Sequence, residues 1–216
     1  MKSLTDCYVL NNGVKIPCVG FGTWQTPDGD VAVSAVKAAL ECGYRHIDTA
    51  ADYQNEASVG RAIRESGIPR EELFVTSKLL NREHDYGATM MGFERTMKNL
   101  GLEYLDLYLI HCPNPLKFRE YGTDANGGSW KAMEELYHAG RIRAIGLSTF
   151  GVRHMQALMD RIGVKPAVNQ MRLCPGAVLD DVVKYCHRHS ILMEAYSPLG
   201  TGKIFSVHEM HAFAKK

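Results

Sequence analysis

The sequence predicts an α/β protein in which strands and helices alternate, on the plan of a (β/α)8 TIM barrel preceded by an N-terminal β-hairpin. Short apolar segments alternate with longer segments whose apolar residues recur at spacings of three and four. Successive units lie about 30 residues apart, which is typical of parallel strands joined by crossover helices. No predicted strand is followed by the Gly-x-Gly-x-x-Gly pattern of a doubly wound dinucleotide-binding fold. These observations favour the barrel.

The composition is that of one soluble domain spanning residues 1–216. Hydrophobic residues make up 45% of the chain, and 25 Lys and Arg residues nearly balance 24 Asp and Glu residues, for a net charge of +1. Because the basic residues are scattered, we expect no nucleic-acid partner and no anionic membrane partner. The first residues lack an apolar signal segment, and no stretch reaches the ~18 apolar residues of a membrane span. We therefore expect a cytoplasmic monomer.

The hairpin and the strands are predicted from turn residues and apolar runs. Tyr8 to Pro17 forms the hairpin, because Asn12-Gly13 supplies the positive φ angles of a tight turn. The segment 105–110 is a nearly continuous apolar run, as expected for a strand covered on both faces. The predicted barrel strands are, in order, 18–21, 44–47, 73–77, 105–110, 142–147, 166–168 and 191–195.

Each strand is followed by a predicted helix with one apolar face. In chain order the apolar faces carry Val33, Val36 and Leu40; Val59, Ala62 and Ile63; Met90, Phe93, Met97 and Leu100; Trp130, Met133 and Tyr137; Val152, Met155 and Met159; Leu179, Val182, Val183 and Cys186; and Val207, Met210 and Phe213. Glycines that favour a left-handed C-terminal cap follow several helices, at Gly43, Gly67, Gly101 and Gly140. Ser129 is the expected N-cap of the helix that contains Trp130.

A complete barrel of this class has eight β-α units, and this sequence supplies seven. We therefore expect a C-terminally truncated barrel that lacks its eighth strand. The strands at 18–21 and 191–195 would then present unpaired backbone groups, which lowers stability and favours aggregation.

Two further groups of residues are interpreted as structural. The cysteines Cys7, Cys18, Cys42, Cys112, Cys174 and Cys186 form no Cys-x-x-Cys pair, so reduced and mostly buried thiols are expected. The spacing of Cys174, Cys186, His187 and His189 matches no standard zinc site, so no metal is expected. The segment 200–203 lacks the remaining residues of a phosphate-binding P-loop, and it is expected to be a glycine-bearing loop with a solvated Lys203.

Polar residues follow or end several predicted strands. They are Asp48, Lys78, His111, Ser148, Asn169, Gln170, Tyr196 and Ser197. In a barrel these residues project at the carboxyl ends of the strands, where the active sites of such enzymes lie. Tyr53, five residues after Asp48, stands at the start of a predicted helix and joins the same group. The sequence therefore predicts one polar pocket at this end of the barrel.

Over essentially its whole length the chain resembles the aldo-keto reductases, and among them the bacterial small-carbonyl and 2,5-diketo-gluconate reductase types. The matching segments are 20–24, 45–50 with Tyr53 and 55–56, 75–78, 105–111 with Pro113, 146–148, 169–170 and 194–200. The resemblance implies that Asp48, Tyr53, Lys78 and His111 form the catalytic tetrad of an NAD(P)H-dependent reductase of small-molecule aldehydes or ketones.

The residue types of this tetrad suit carbonyl reduction. Hydride transfer to a carbonyl carbon builds negative charge on the oxygen, which a proton donor must meet. Tyr53 would be that donor, and we expect Lys78 to lower its pKa from the usual value of about 10 while Asp48 holds the ammonium group in place. His111 would aim a second hydrogen bond at the substrate oxygen.

The resemblance also implies where cofactor and substrate lie. Cofactor contacts would come from Gly22, Thr23, Ser148, Thr149, Gln170, Tyr196, Ser197, Leu199 and Gly200. Ser148 and Gln170 would hold the nicotinamide carboxamide, Tyr196 would stack on the ring, and the loop 197–200 would wrap the pyrophosphate. The substrate pocket would be formed by Trp24, Tyr53, His111 and Cys112. NADP(H) is the family expectation, and NAD(H) remains an alternative.

Two other functions fit parts of the same pattern. A Schiff-base lyase on this fold would use Lys78 as its nucleophile, with Tyr53 and His111 nearby. That hypothesis gives no role to Ser148, Gln170 and Tyr196. A catalytically idle member would keep the motifs and bind a cofactor or a partner without turnover.

Overall fold

The computed structural model describes residues 3–113 and 122–214 as a barrel-like sheet with helices outside it. The strands are β1 (Cys7–Val9), β2 (Lys15–Pro17), β3 (Gly20–Gly22), β4 (His46–Asp48), β5 (Phe74–Leu79), β6 (Leu105–Ile110), β7 (Ile142–Ser148), β8 (Val168–Arg172) and β9 (Leu192–Tyr196). The helices are α1 (Asp30–Glu41), α2 (Glu56–Glu65), α3 (Tyr86–Leu100), α4 (Gly122–His138), α5 (Val152–Met159), α6 (Asp180–Arg188) and α7 (His208–Ala214). Strands β3 to β9 form one parallel sheet in chain order.

The parallel sheet curls into a nearly closed barrel. In a flat sheet, β4 and β8 would lie about 19 Å apart, because four strand spacings of about 4.8 Å separate them. Instead, the side-chain amide of Gln170 on β8 donates a hydrogen bond of 2.8 Å to Asp48 on β4. The predicted fold class is therefore confirmed, with seven parallel strands in the described part of the chain.

The predicted hairpin covers the amino ends of the strands. β1 and β2 pair antiparallel, and Gly13 in the turn has φ +86°. Leu10 and Ile16 are 3% and 2% exposed and pack against residues inside the barrel. The side chain of Asn11 donates to the carbonyl oxygen of Pro166, at 2.8 Å, and that of Asn12 to the carbonyl oxygen of Arg143, at 2.9 Å. The hairpin thus closes this end of the barrel.

The helices pack on the outer face of the sheet through the apolar residues that the spacing predicts. Phe93 and Leu100 of α3 and Trp130 of α4 are fully buried in the larger core, with Met97 only 4% exposed. This confirms that the Met-containing face of α3 is core. Within the described residues, none of the helices combines the length and the apolar character needed to cross a membrane.

Several predicted boundaries are wrong, and one error has a clear cause. Lys78 lies inside β5, while Asn169 and Gln170 lie inside β8, whereas the sequence predicted them at strand ends. Polar residues alone do not mark the end of a strand here, because the wall of the barrel is itself polar near its carboxyl end.

The N-cap prediction is also wrong. Helix α4 begins at Gly122, so Ser129 lies within it. The Ser129 hydroxyl accepts hydrogen bonds from the backbone N–H of Asp85 and from the hydroxyl of Thr89, each at 3.0 Å. Ser129 therefore joins α4 to the start of α3, and the N-cap there is Asp85, which accepts from the backbone N–H of Ala88.

The cysteines are free, as predicted, but they are not mostly buried. Cys186 is fully buried, whereas Cys7 and Cys42 are exposed and the other three are intermediate. Among residues 3–113 and 122–214, no group of three or more His, Cys, Asp or Glu side chains is arranged to hold a metal ion.

Candidate active site

Lys78 is the centre of a buried polar cluster at the carboxyl end of the barrel. Its side chain is 1% exposed. The ammonium group donates to Asp48 Oδ1 at 2.6 Å, to the carbonyl oxygen of Thr49 at 3.0 Å and to Tyr53 Oη at 3.2 Å. Because an ammonium group has three N–H donors, these contacts use all of them. Burial lowers the pKa of Lys78, but the negative charge of Asp48 and the contact with Tyr53 outweigh burial and raise it above the usual value.

Asp48, the last residue of β4, is held at both carboxylate oxygens. Oδ1 accepts from Lys78, and Oδ2 accepts from the amide of Gln170 at 2.8 Å. Three strands, β4, β5 and β8, therefore meet in one hydrogen-bonded chain of side chains. The carboxylate remains 15% exposed. Its position is fixed by strands rather than by a loop, which is the arrangement that preorganises a site.

Tyr53 closes a short 3₁₀ turn, Ala51–Tyr53, that follows β4. Its ring lies 4.9 Å from the Lys78 ammonium. Burial raises the pKa of Tyr53 from its usual value; the positive charge of Lys78 lowers it, as expected, whereas the negative charges of Asp48 and Asp52 raise it. The net shift is upward, because burial outweighs the cation.

His111 follows β6 and packs edge-on against Tyr53, with ring centroids 5.8 Å apart. Its Nδ1 lies 3.3 Å from Oδ2 of Asp52, although without the alignment of a well-formed hydrogen bond. Asp52 was not among the predicted site residues. The available signal was its place directly before Tyr53 in the same turn, which puts a second carboxylate at the rim.

Asn55 holds together the loops that carry the site, and it too was missed. Its side-chain nitrogen donates to the carbonyl oxygens of Thr23 and Thr26, at 2.9 and 3.0 Å, and its side-chain oxygen accepts from Thr49, at 2.9 Å. Asn55 is fully buried. It therefore ties the loop after β3 to the turn that carries Tyr53.

A cavity of about 1490 Å³ opens beside the cluster. The predicted site residues that line it are Gly22, Trp24, Asp48, Tyr53, His111, Ser148, Thr149, Gln170, Tyr196 and Ser197. Five predicted residues do not line it: Thr23, Lys78, Cys112, Leu199 and Gly200. Thr23 is fully buried, with its hydroxyl donating to the carbonyl oxygen of Asp48. Lys78 lies behind Asp48 and Tyr53.

The cavity wall carries the groups predicted for a nicotinamide. Ser148 on β7 pairs directly with Gln170 on β8, which places a hydroxyl and an amide side by side. The hydroxyl of Thr149 lies 2.7 Å from the carbonyl oxygen of Ser148 and 3.3 Å from that of His111, and its single proton is donated to one of them at a time. Tyr196 ends β9 and lines the same space. The donor and acceptor groups and the large cavity fit such a cofactor.

Comparisons with known proteins agree with this geometry. The model of the aldo/keto reductase family matches residues 18–212. A 9,11-endoperoxide prostaglandin H2 reductase of Trypanosoma cruzi is 44% identical over 98% of this chain and 73% of its own. A glyoxal reductase of Bacillus subtilis is 42% identical over 99% of this chain and 75% of its own. The crystal structure of a Bombyx mori aldo-keto reductase in complex with NADP superposes with a TM-score of 0.83, at 36% identity, over 91% of this chain and 67% of that one.

Proposed function

Because the chain belongs to the aldo/keto reductase family and is thus an NAD(P)H-dependent oxidoreductase, we propose that it reduces a small aldehyde or ketone to the alcohol, with Tyr53 as proton donor. The observation that carries the proposal is the hydrogen bond from the Lys78 ammonium to Tyr53 Oη, at 3.2 Å. Since the ammonium donates to this oxygen, the phenol's own proton is directed elsewhere, and the ring lines the cavity.

The residues around Tyr53 favour the release of its proton during the reaction. The phenol stays protonated at neutral pH, because burial raises the pKa of Tyr53. When the proton moves to the developing alkoxide, the Lys78 charge stabilises the phenolate that is left behind. Asp48 and the carbonyl oxygen of Thr49 hold the ammonium in place throughout. Substrate and cofactor therefore meet a donor whose surroundings need little reorganisation.

A nicotinamide cofactor supplies the hydride when it is bound. Ser148 and Gln170 would hold its carboxamide, since their side chains lie on neighbouring strands at the cavity wall. Tyr196 would cover the ring, and Ser197 would contact the phosphates. Gly22 lines the cavity and has no side chain that would block the cofactor. Leu199 and Gly200 do not line the cavity, so they would contribute by shaping the loop that contacts the cofactor. NADPH is the proposed form, in line with the NADP complex of the Bombyx mori relative.

The substrate is proposed to be a small carbonyl compound that enters beside Trp24. This residue is 54% exposed at the cavity, and Tyr53 and His111 lie deeper. The Bacillus subtilis relative is named a glyoxal reductase, which places a small dicarbonyl compound among the first substrates to test. Cys112 does not reach the cavity, so it is proposed to shape the substrate side only through His111, its neighbour in the chain.

The geometry speaks against the lyase hypothesis. A Schiff-base lysine must be neutral and within reach of the substrate carbon. Lys78 is buried, its pKa is raised, and its three N–H donors are engaged. An idle member would lack turnover and would bind either a cofactor or a partner, so a rate measurement is combined with a measurement of cofactor binding.

The test replaces Tyr53 with Phe. Reduction of glyoxal or another small aldehyde should fall by about 10²- to 10⁴-fold, because a positioned acid contributes a factor of that size. A fluorescence titration with NADPH should give a nearly unchanged dissociation constant, since the phenol acts on the substrate oxygen. Tyr86→Phe is the control, because the Tyr86 hydroxyl contacts Glu135 on the outside of the barrel. A loss below about tenfold would contradict the donor role, and failure of the parent chain to bind cofactor would favour an idle protein.

A further inference from the structure

We propose that Asp52 is a positioning residue that orients the imidazole of His111, so that Nδ1 faces the carboxylate and Nε2 faces the cavity as a second donor to the substrate oxygen. This inference rests on the proposed carbonyl reduction. It assigns a role to a carboxylate at the rim of the cavity, 31% exposed in its side chain, that was not among the predicted site residues.

The Asp52 carboxylate lies between the side chains of Asn81 and His111. Oδ2 of Asp52 accepts a hydrogen bond of 2.8 Å from the side chain of Asn81. Because Asn81 lies in the loop after β5, this bond joins the Asp52 carboxylate to that loop. The same oxygen lies 3.3 Å from Nδ1 of His111. Nδ1 is buried and makes no well-formed hydrogen bond with any described residue, and the Asp52 carboxylate lies within ion-pair distance of it. Because the two ring nitrogens point in different directions, Nε2 is turned away from Asp52.

Orientation decides what His111 offers to a carbonyl. A ring that carries its proton on Nδ1 against a carboxylate presents Nε2 as a lone pair when neutral and as a donor when protonated. A substrate oxygen needs a donor, so the useful form is the imidazolium, with Asp52 as its counter-ion. His111 lowers the pKa of Asp52 first through their direct contact, and its charge and the bond from Asn81 lower it further, against the effect of burial. The carboxylate is therefore ionised through the neutral range.

The other charged groups around the pair leave this assignment intact. Arg82 also lowers the pKa of Asp52, and Tyr53 packs against the ring of His111. His84 is the second imidazole in this region, but burial lowers its pKa to about 4, and it is neutral above that pH. Of these two imidazoles, the one that lies against Asp52 is that of His111, with Nδ1 at 3.3 Å from Oδ2.

The first experiment needs no substrate. The carboxyl carbon of Asp52 would be titrated by NMR in the parent protein and in His111→Gln, with the carboxyl of Asp30 as an internal control on α1. Removal of the imidazolium should move the Asp52 midpoint to higher pH and leave the Asp30 midpoint unchanged. Equal Asp52 midpoints overturn the proposal, whatever the activities of the variants, so this result is separable from failure of the proposed function.

The second experiment is kinetic. Asp52→Asn should lower kcat by about 10- to 100-fold, below the 10²- to 10³-fold cost of deleting a whole donor, with KM for the cofactor unchanged. Asp52→Glu should restore part of the rate, because it returns a carboxylate to the side of Nδ1. A kcat of Asp52→Asn equal to that of the parent overturns the proposal; Asp30→Asn should behave as the parent.

Discussion

Buried charge is arranged differently at the two ends of the barrel. At the amino end, the Asp106 carboxylate on β6 is fully buried and lies 2.7 Å from Arg143 and 2.7 Å from Arg70, with a backbone N–H donating to it at 2.9 Å. At the carboxyl end, the Lys78 ammonium and Asp48 carboxylate are also paired, at 2.6 Å. Of the two carboxylates, Asp48 lines the cavity of about 1490 Å³ and Asp106 does not.

This difference between the two ends suggests that buried charges at the amino end stabilise the fold, whereas those at the carboxyl end support the proposed reaction. At the amino end, the Asp106 carboxylate lies between two arginines, and the apolar hairpin residues Leu10 and Ile16 pack against the barrel interior. At the carboxyl end, matched charges support a phenol and an imidazole that face open space. Barrel enzymes place catalytic residues at the carboxyl ends of their strands, and residues at the opposite end contribute to stability. Substitutions at the two ends should therefore change different measured quantities.

Lys78→Met should have the largest effect, and it should appear in the rate. Without the ammonium, the phenolate of Tyr53 is no longer stabilised, so reduction should fall by about 10²-fold or more. The sign of the pH effect follows from the Tyr53 pKa. Lys78 lowers that pKa, so its removal should move the high-pH loss of activity to still higher pH. Initial rates from neutral to strongly alkaline pH measure both effects.

Lys37→Met is the matched control for Lys78→Met. Lys37 forms an exposed ion pair of 3.4 Å with Glu65, outside the barrel. Its loss should leave the rate and the pH profile unchanged. If Lys78→Met also kept the parent profile, Lys78 would have no part in the titration of Tyr53, and the two ends of the barrel would not differ as argued.

Asp106→Ala should have the next largest effect, on stability alone. It removes the carboxylate that faces Arg70 and Arg143 and leaves the buried backbone N–H of Val75 without its acceptor. Because the two arginines are 20% and 44% exposed, the main cost is that of the unsatisfied buried N–H, about 1–3 kcal/mol of unfolding free energy. Urea unfolding measures this loss, and kcat of the folded variant should match the parent. Asp30→Asn, which removes an exposed partner of Arg61, should unfold like the parent; a rate loss in Asp106→Ala would contradict the separation.

The sequence was informative where one physical rule dominates. Strand β6 was predicted with its observed bounds, because 105–110 is buried on both faces and reads as a continuous apolar run. The four tetrad residues were named by resemblance, and the structure brings them together: Lys78 contacts Asp48 and Tyr53, and His111 packs on Tyr53.

The sequence was uninformative where contacts depend on loop geometry or on a balance of opposing effects. The contact between Asp52 and His111 joins the turn after β4 to the end of β6, and no spacing rule connects those positions. The sign of the Tyr53 pKa shift depends on burial against one nearby cation, and burial cannot be judged from residue types. The hydrogen bonds of the Thr149 hydroxyl to backbone oxygens likewise depend on the path of the loop after β7, and the cofactor contact assigned to Thr149 stays a prediction.

The smallest expected effect tests the hairpin that closes the amino end. Gly13 has φ +86°, and a Cβ at this position would meet no atom within 4 Å, so the cost of Gly13→Ala is that of the backbone alone. A side chain in the left-handed region costs about 1–2 kcal/mol, and the hairpin's hold on Leu10 and Ile16 should weaken by that amount. Thermal and urea unfolding should show it, with kcat unchanged.

Gly127→Ala is the matched control, because Gly127 lies within helix α4 and a Cβ there also meets no atom within 4 Å. In a helix the same substitution should stabilise the fold, by about 0.4–1 kcal/mol, since alanine restricts the unfolded chain and favours helix. If Gly13→Ala lowers the unfolding free energy and Gly127→Ala raises it, with kcat unchanged in both, the Gly13 turn contributes to the stability of the amino end. A rate loss in Gly13→Ala would instead show that the hairpin acts on the catalytic end through the barrel interior.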